Sequence, residues 1–490
     1  MSKGSAGAVF SGITLDEQAD LPLYRQIYLA LRQPMLDGSL PPGSRMPSTR
    51  TLAKDLGVAR NTVVVAYDLL AAEDFIESRV GAGAVVRADA RRKGPVGGRG
   101  TDSPVTRPQS QPSKRAATTK AALGHVMEGK NLRMAFGVPD ISAFPAHLWQ
   151  GIIGRTRQTQ AGWGLESGDL LGLKNLRRAI ASHLAVSRGT VCDPAQVIIT
   201  SGTHRSLDFA LKVTTDPGDR VWVENPGYKY AYGAMASAGV KTIPVPVDAD
   251  GLDVKAGVAL DPHARAAYVT PSHQFPLGMT MALRRRVDLL AWAEREGAWV
   301  YEDDYDSDYR YAGRPLAALQ GLDRAGRVIY MGTFNKAMFP GLRLAFMIVP
   351  EALVDAFATV ISATDGAPPP FMQNVLAQFI EEGHLESHLR RMRTLYAARY
   401  AHALEAVAAR VPEATFLPSG AGMHVTLRLP AETDDKTLSA QLLQAGYMMP
   451  PLSSYCFAPR RQAGLMLPFA GVPETVTDAA LDALARLLRH

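Results

Sequence analysis

One low-complexity segment constrains the architecture of this chain more than any other feature. Residues 91–119 are rich in glycine, proline, serine and threonine and hold almost no large apolar side chain. Because such a segment buries too little apolar surface to offset the entropy of ordering it, we expect a flexible tether. The chain should therefore divide into a flexible tail at 1–12, a first unit at 13–88, a basic tether at 89–128 and a large second unit at 129–490.

The composition fits a folded protein of the cytoplasm. Apolar residues make up 47% and charged residues 20% of the chain, which excludes a fibrous chain and one disordered throughout. The sequence shows neither an apolar run of 18 or more residues nor an export signal at the N-terminus. The two cysteines, Cys192 and Cys456, are too few for a disulfide framework and lack metal-ligand spacing.

The net charge of +6 is unevenly placed, since seven basic residues and only two acidic ones lie between Arg87 and Lys120. The simpler interpretation of this run is a solvated linker. Beside a DNA-binding motif the same charge would also be attracted to the phosphate backbone, with an affinity that falls as salt rises.

The first unit carries the pattern of a helix-turn-helix. A helical pattern over residues 21–36 is followed by a turn, and a short helix then fits between Ser48, a good N-cap, and Gly57, a good C′ residue. The chain becomes helical again from Arg60, and in such motifs the second helix enters the major groove of DNA. Residues 79–86 then predict a β-hairpin wing.

The side chains that begin the second helix suit contact with DNA. Arg60, Asn61 and Thr62 offer guanidinium, amide and hydroxyl groups, which contact base edges or phosphates. The alternative is a three-helix packing module that binds no nucleic acid. Four arginines predicted on the exposed side argue against it: Arg45, Arg50, Arg60 and Arg79.

A wider set of residues extends this pattern from about residue 21 to residue 86. Its members are Pro42, Gly43, Pro47, Ser48, Arg50, Leu52, Ala53, Leu56, Gly57, Val58, Arg60, Thr62, Val63, Ala66, Tyr67, Leu70, Glu73, Arg79, Gly81 and Gly83. This set resembles the winged helix of GntR-family regulators, and the resemblance implies double-stranded operator DNA as a partner. The residues that we assign to DNA contact are Arg45, Ser48, Thr49, Arg50, Arg60, Asn61, Thr62, Tyr67, Arg79 and Gly81.

Two residues depart from the family pattern. Ala59 stands where the family usually has serine, which removes an N-cap worth about 1 kcal/mol. Asp74 replaces the usual glycine before the wing, and we expect the turn there to be altered.

The second unit alternates short β-rich runs with longer helical stretches such as residues 283–296. The β-rich runs are residues 197–200, 221–224, 266–270, 299–303, 328–333 and 344–349. This alternation predicts an α/β unit with a largely parallel sheet covered on both faces. Ligands of such sheets bind at the carboxyl ends of the strands, so chemistry is expected there.

A lysine follows one of these runs, in the sequence Thr333-Phe334-Asn335-Lys336. A lysine at a strand end suits a Schiff base to an aldehyde cofactor, because desolvation lowers the pKa of the amine enough to free it. Arg343, seven residues later, can bind the phosphate of the same cofactor as a bidentate clamp.

Other strand ends carry complementary groups. Ser201-Gly202-Thr203 precedes a helix whose N-terminal amides can bind an anion. The run Glu302-Asp303-Asp304-Tyr305 offers a carboxylate that would hold a pyridinium nitrogen protonated, and a tyrosine for a phenolic oxygen. Tyr228 can lie against the ring face. Each group alone has a simpler interpretation as a solvated surface residue, so the prediction rests on their combination.

Together these groups resemble fold-type I aminotransferases that bind pyridoxal 5′-phosphate (PLP). Three motifs are similar to the MocR/GabR-type regulators in particular: Phe136-Gly137-x-Pro139-Asp140, Pro271-Ser272-His273-Gln274-Phe275-Pro276-x-Gly278 and Glu302-Asp303-Asp304-Tyr305-Asp306-Ser307. The resemblance runs from about residue 132 to the C-terminus. It implies an aminotransferase-like fold with a mixed, mostly parallel sheet between helices, and a homodimer in which the winged helix can lie near the other subunit.

The same resemblance implies a role for each candidate residue. Lys336 would form the Schiff base with PLP, Asp303 would contact the ring nitrogen, Tyr305 the phenolic oxygen, and Tyr228 would stack on the ring. The phosphate would be bound by Ser201, Gly202, Thr203, Thr333, Asn335 and Arg343. Asn335 departs from the usual serine, although its amide can still donate.

Two arginines that bind substrate carboxylates in such proteins are missing. Met466 stands in the position of one and Tyr230 in that of the other, and neither can make a bidentate charged pair. An amino-acid substrate would then lack its main orienting contact. The alternative is that another cation, such as Lys229 or a neighbouring arginine, has taken the role.

We therefore predict a DNA-binding regulator that is not an enzyme and that senses PLP itself, hence vitamin B6 status, or an amino compound such as an amine or a small peptide. The first alternative is an active PLP-dependent aminotransferase that carries a DNA-binding domain. The second is an architectural DNA-binding protein whose C-terminal unit binds no ligand.

Overall fold

The computed structural model describes residues 10, 12–16, 19, 21–79, 83–88, 90, 111–123, 132–159, 169–311, 316–364, 366–416, 419–457 and 462–489. The chain divides into two units, residues 1–110 and residues 111–490. No helix among the described residues is long and apolar enough to cross a membrane.

In the part of the first unit that the structure describes, the elements with defined bounds are three helices and a hairpin: α1 (Leu23–Asp37), α2 (Thr49–Leu56), α3 (Arg60–Ala72), β1 (Ile76–Arg79) and β2 (Gly83–Val86). The two strands pair antiparallel. The hairpin expected over residues 79–86 is therefore present, but its first strand begins at Ile76. The reason is that Phe75 and Ile76 are buried and attach the start of the hairpin to the helical core.

The helix ends of this unit follow the caps that the sequence predicts. The Ser48 Oγ accepts a hydrogen bond from the Thr51 amide at 3.1 Å, and Gly57 ends α2 in the left-handed region at φ 69°. Ala59 makes no side-chain cap at the start of α3, as expected. Asp74 adopts φ 58°, the left-handed conformation that explains why a glycine is usual there and that aspartate tolerates better than most residues.

The second unit is built on an eight-stranded sheet. Its strands are β3 (Val197–Thr200), β4 (Arg220–Asn225), β5 (Lys241–Asp248), β6 (Gly251–Leu252), β7 (Ala266–Val269), β8 (Trp299–Asp304), β9 (Val328–Thr333) and β10 (Ala345–Ile348). The strand order is β3-β10-β9-β8-β7-β4-β5-β6. The strands from β9 through β8, β7 and β4 to β5 are parallel, which confirms the mostly parallel sheet.

Strand β10 runs antiparallel to both of its neighbours, β3 and β9. The connection from β9 to β10 consists of residues 334–344 only. A parallel neighbour needs a crossover of a dozen or more residues, so this short connection returns the chain in the opposite direction.

Helices cover both faces of this sheet and extend beyond it. They are α4 (Lys114–Leu123), α5 (Ala146–Thr159), α6 (Lys174–Arg188), α7 (Thr203–Thr214), α8 (Lys229–Ala238), α9 (Val254–Leu260), α10 (Leu283–Glu296), α11 (Phe334–Ala337), α12 (Val354–Thr364), α13 (Pro370–Glu381), α14 (His384–Arg410), α15 (Asp435–Gln444) and α16 (Glu474–Leu488). Within β3, Ile199 packs into one apolar layer and Ile198 into another. This alternation is the double covering that the sequence predicts.

A second, smaller sheet was not expected from the sequence. It comprises the antiparallel strands β11 (Thr415–Phe416), β12 (His424–Arg428) and β13 (Gly464–Pro468). Its central strand, β12, contributes His424 to the cavity described below.

Part of the segment expected to be a flexible tether is helical. Helix α4 lies within residues 89–128 and belongs to the second unit. Its contact with α8 is close, since a Cβ added at Gly233 would lie 2.6 Å from Leu123 Cδ2. We expected a flexible segment because it holds few large apolar residues. An alanine-rich helix needs few of them, since alanine favours the helix and one leucine packs against Gly233. Residues 91–110 lie outside the described residues.

Candidate functional site

A cavity of about 440 Å³ lies at the carboxyl ends of β3, β4, β8 and β9. Every residue that the sequence assigns to the cofactor lines it: Ser201, Gly202, Thr203, Tyr228, Asp303, Tyr305, Thr333, Asn335, Lys336 and Arg343. The strand ends therefore bring ten residues from four parts of the chain to one place, as expected for a parallel sheet.

Lys336 lies on the short helix α11 and faces this cavity. Thr333 caps the start of this helix, since its Oγ1 accepts a hydrogen bond from the Asn335 amide at 3.1 Å. The Lys336 Nζ donates a hydrogen bond to the carbonyl of Gly137. A glycine is needed there, because a Cβ added at position 137 would lie only 2.7 Å from the Lys336 Nζ. Burial lowers the pKa of the lysine, an effect that the charge of Asp306 opposes. A lowered pKa frees more of the amine for attack on an aldehyde.

Asp303 presents a buried acceptor. Its side chain accepts a hydrogen bond from the Tyr268 hydroxyl at 2.5 Å through Oδ2. Its Oδ1 is buried and has no hydrogen-bond partner among the described residues. Burial raises the pKa of this carboxyl to about 7, although the hydrogen bond from Tyr268 opposes the shift. A buried carboxylate in this state is stabilised by a cationic donor that enters the cavity.

Asp303→Asn should therefore stabilise the protein without cofactor at neutral pH. In the unfolded chain the carboxyl loses its proton near pH 3.8, whereas in the folded protein it keeps the proton to about pH 7. The folded state binds more protons between these values, so stability falls as pH rises through this window. The side-chain oxygen of the introduced asparagine can still accept from Tyr268, and the amide does not titrate. The gain in the free energy of unfolding at the upper end of this window should therefore be on the order of 4 kcal/mol.

Denaturant unfolding of wild type and Asp303→Asn, without cofactor, at several pH values across this window would measure the effect. The buried Glu224 and Glu302, whose pKa values burial also raises to about 7, should keep part of the pH dependence in both proteins. Equal pH dependence of wild type and variant would contradict the assignment of this effect to Asp303.

The end of the cavity that the sequence assigns to the phosphate is the start of helix α7. The helix begins after Gly202, at φ 152° and ψ 161°, with no side-chain cap. The first amides of a helix have no partners within it and attract an anion. Arg343, at φ 53°, lines the cavity as well and supplies the guanidinium that the sequence predicts there.

His204 is a cavity residue that we did not assign from the sequence. Its Nε2 lies 2.9 Å from the Tyr228 hydroxyl, and its ring stacks on Tyr230 with 5.5 Å between centroids. Burial lowers the pKa of His204, and the charges of Arg343 and Lys336 add to that effect. Its place directly after Ser-Gly-Thr, at the start of the predicted helix, was the signal that could have revealed it.

The position expected for the first carboxylate arginine is apolar. Met466 lies on β13, is fully buried, and packs with Phe275 and Tyr455. The position of the second arginine is Tyr230, which lines the cavity. The alternative cation Lys229 also lines the cavity, and its Nζ lies 5.4 Å from the ring centres of both Tyr230 and Tyr455.

Behind Tyr305 lies a group of side chains that we did not assign to the site: His273 and Asp306, which the sequence motifs contain, and His424, which they do not. The Tyr305 hydroxyl lies 2.9 Å from His273 Nδ1, and the same nitrogen lies 3.0 Å from Asp306 Oδ2. The His424 ring packs on the His273 ring with 5.4 Å between centroids. These residues belong to three distant parts of the sequence, so only the fold shows that they meet.

The candidate DNA-contact residues of the first unit are mostly accessible. The exposed ones are Arg45, Ser48, Arg50, Arg60 and Asn61, while Thr49 and Thr62 are half-buried. The Arg60 Nε donates to the Thr49 Oγ1 at 3.4 Å, which ties the first turn of α3 to the start of α2. The expected order of the two helices is thus present, and Arg45, Arg50 and Arg60 are exposed, with Arg60 at the start of the second helix.

Three candidates of this set have a different status. Tyr67 is 7% exposed and its hydroxyl donates to the Pro47 carbonyl at 2.9 Å, so it is a core residue that supports the start of α2 rather than an exposed contact. The apolar ring, which belongs to the core face of α3, accounts for this burial. Arg79 ends the backbone of β1, and Gly81 lies outside the described residues.

Two family models match this chain, which agrees with the two units of the structure. Residues 23–86 match the bacterial regulatory proteins, gntR family, and residues 153–484 match aminotransferase class I and II. The chain is 39% identical to the probable rhizopine catabolism regulatory protein MocR of Rhizobium meliloti, over 95% of this chain and 94% of that protein. It is 31% identical to the pyridoxine biosynthesis transcriptional regulator PdxR of Corynebacterium glutamicum, over 85% of each.

The fold also matches solved aminotransferases. A crystal structure of kynurenine aminotransferase from Pyrococcus horikoshii, in complex with PMP, superposes with a TM-score of 0.69 at 27% identity, over 78% of this chain and 95% of that one. The winged helix, the aminotransferase fold and the full-length similarity to MocR lead to one assignment. The chain belongs to the GntR family of regulators, in the MocR-type group whose winged helix is fused to an aminotransferase-like unit.

Proposed function

We propose that this protein is a transcriptional regulator that binds operator DNA through its first unit and PLP through its second. The observation that carries the proposal is the convergence of ten predicted cofactor residues on one cavity, in a chain that also has a winged helix. The relatives named as regulators, MocR and PdxR, share both parts over most of their length.

The residues present fit PLP. The buried, unpartnered Oδ1 of Asp303 is the acceptor that a protonated ring nitrogen requires. The amine of Lys336 suits the aldehyde, and the start of α7 together with Arg343 suits the phosphate. When bound, PLP supplies an electrophilic carbonyl carbon and an electron-withdrawing ring; the side chains hold and orient it.

We further propose that the second unit acts as a sensor rather than as an enzyme. Met466 and Tyr230 leave an amino-acid substrate without the two arginines that would orient its carboxylate. PLP itself is the signal that such a site favours, and the similarity to a regulator of pyridoxine biosynthesis supports it. An amine or other amino compound is the second candidate, since the relative MocR is named for the catabolism of rhizopine.

Occupancy of the cavity would then change the population of conformations that differ in operator affinity. A ligand can shift such an equilibrium only by its difference in affinity between the two states. Couplings of this kind typically change affinity by about 5-fold to 150-fold. We propose that the DNA-binding form is a homodimer, in keeping with the family resemblance.

Operator binding of the cofactor-free protein, measured with and without PLP and then with candidate amines, tests the proposal. We expect PLP to change the operator affinity by at least about 5-fold. Pyridoxal without the phosphate is the control, since it lacks the group that the start of α7 and Arg343 would bind. Unchanged affinity with PLP and with every amine would contradict the sensor, and multiple turnovers with an amino donor and a keto acid would favour the enzyme.

A further inference from the structure

The proposed function leaves two buried members of a hydrogen-bonded chain, Asp306 and His273, without a role behind Tyr305, the residue assigned to the phenolic oxygen of PLP. His273 is 1% exposed and Asp306 is 2% exposed. The His273 Nδ1 lies 3.0 Å from the Asp306 Oδ2 and 2.9 Å from the Tyr305 hydroxyl. Polar groups this deeply buried are costly unless their hydrogen bonds are used, so the chain needs an explanation.

The direction of the hydrogen bonds follows from the carboxylate. An ionised Asp306 can only accept, so the His273 Nδ1 must carry the proton. That N–H also points to the Tyr305 oxygen, which therefore acts as an acceptor at this contact. The hydroxyl proton of Tyr305 is then left for another partner, and the open side of Tyr305 is the cavity.

The imidazole ring has little freedom to turn away from this arrangement. Gly278 and Gly422 flank it, at φ 87° and 82°. A Cβ at Gly422 would lie 2.0 Å from the His273 Cε1, and one at Gly278 would lie 3.1 Å from the His273 Nε2. Side chains at both positions would collide with the ring or crowd it, so the two glycines fix its orientation.

The charged groups around Tyr305 are consistent with a neutral tyrosine. Burial raises its pKa well above the usual range, and the carboxyls of Asp306, Asp303, Glu224 and Asp304 add to the shift. On the far side of His273, the ring of His424 stays neutral because burial lowers its pKa to about 3. The His424 Nε2 lies 3.1 Å from the Pro276 carbonyl, to which a neutral ring can donate. Lys336 is the nearby basic group, and its charge interacts with those of Asp306 and Asp303.

A metal ion is the rival explanation, because ligand atoms of His273, Asp306 and His424 lie within 4.8 Å of one another. Zinc binds nitrogen and oxygen at about 2.0–2.2 Å, which sets tetrahedral ligands roughly 3.4 Å apart. The His273 nitrogen nearest to Asp306 is already within hydrogen-bond distance of it, and the His424 Nε2 faces the Pro276 carbonyl. The contacts favour a proton network over a metal site.

We propose that His273, held by Asp306, is a positioning residue that directs the Tyr305 hydroxyl proton toward the phenolic oxygen of bound PLP. This inference rests on the proposed function, since it needs PLP in the cavity. His273 itself is not among the residues that line the cavity. It acts through Tyr305, whose donation stabilises the ionised phenolic oxygen and thereby lowers the proton affinity of the cofactor linked to Lys336.

The test is the pH midpoint of the visible absorption of the PLP-loaded, full-length protein. His273→Leu removes the donor to Tyr305 and should raise the midpoint by about one pH unit, the tenfold change typical of a lost hydrogen bond to a charged group. His273→Asn places an amide donor near the position of Nδ1 and should restore most of the shift. Tyr305→Phe should raise the midpoint too, and His273→Leu in that background should add little.

Several outcomes would overturn the proposal. Equal shifts in His273→Leu and His273→Asn would show a merely structural role, and full additivity with Tyr305→Phe would show that His273 does not act through Tyr305. If His273→Leu does not fold, nitrogen NMR of the wild-type protein with labelled histidine can determine which ring nitrogen of His273 carries the proton. A proton on Nε2 instead of Nδ1 would contradict the proposed hydrogen-bond direction. One tightly bound Zn²⁺ per chain, lost on His424→Ala, would establish the rival metal site. A wild type that never binds PLP would instead overturn the proposed function.

Discussion

Lys336→Ala should abolish the covalent attachment of PLP and the visible absorption band that accompanies it. Lys336 follows the end of β9 and lines the same cavity as Asp303 and Arg343, two of the residues assigned to the cofactor. Burial lowers the pKa of Lys336, which increases the fraction of the amine that is free to act as a nucleophile. The measurement is the absorption spectrum after incubation with PLP, followed by borohydride reduction and mass spectrometry of the labelled peptide.

A second buried lysine provides the matched control. Lys229 lines the same cavity, and burial lowers its pKa as well. Lys229→Gln should nevertheless retain the absorption band, because Lys229 lies over the rings of Tyr230 and Tyr455 rather than at the end of β9. A reduced label on Lys229, or a band that survives in Lys336→Ala, would refute the assignment of Lys336.

Arg60→Ala should weaken operator binding by roughly 5-fold to 150-fold, the cost of about 1–3 kcal/mol for one contact to a base edge. Arg60 is exposed at the start of α3, the helix that enters the major groove in proteins of this kind. The residue lies in the first unit, so PLP uptake by the second unit should be unchanged. Gel retardation at several salt concentrations, with PLP absorption measured in parallel, would show both effects.

Arg25→Ala is the control for loss of charge alone. Arg25 is also exposed in the first unit, but it lies on α1 rather than on the predicted recognition helix. Its removal should change operator affinity far less than the removal of Arg60. Equal losses in both variants would indicate a general electrostatic effect, and wild-type affinity in Arg60→Ala would contradict its assignment to DNA contact.

The sheet and its ligand-bearing edge were accessible from the sequence because they depend on local patterns. The runs predicted at residues 197–200 and 328–333 have the same bounds as strands β3 and β9. Each is a short stretch of mostly apolar, β-favouring residues, which is a local signal. Parallel pairing then places the next residues of each strand at one edge. Ser201, Asp303 and Lys336 meet for this reason.

Other parts of the site depend on contacts that no local pattern encodes. The pairing of His273 with Asp306 joins residues 33 positions apart, and the packing of the His424 ring on His273 joins segments more than a hundred residues apart. Tyr268 donates to Asp303 from the neighbouring strand, a relation that follows from the register of the sheet. In the first unit, the burial of Tyr67 reflects the rotation of α3 against its core, which periodicity fixes only roughly.

The apolar surroundings of Met466 affect how such a protein can evolve. The side chain is fully enclosed and packs with Phe275 and Tyr455. An arginine that replaced Met466 alone would lose its hydration and would be confined to the space of a thioether beside aromatic rings. Burying this unpaired charge is costly unless an anionic ligand binds next to it. A single arginine substitution at position 466 should thus destabilise the fold unless Phe275 and Tyr455 change with it. The aromatic packing makes the acquisition of a carboxylate-binding arginine at this position a change of several residues rather than of one.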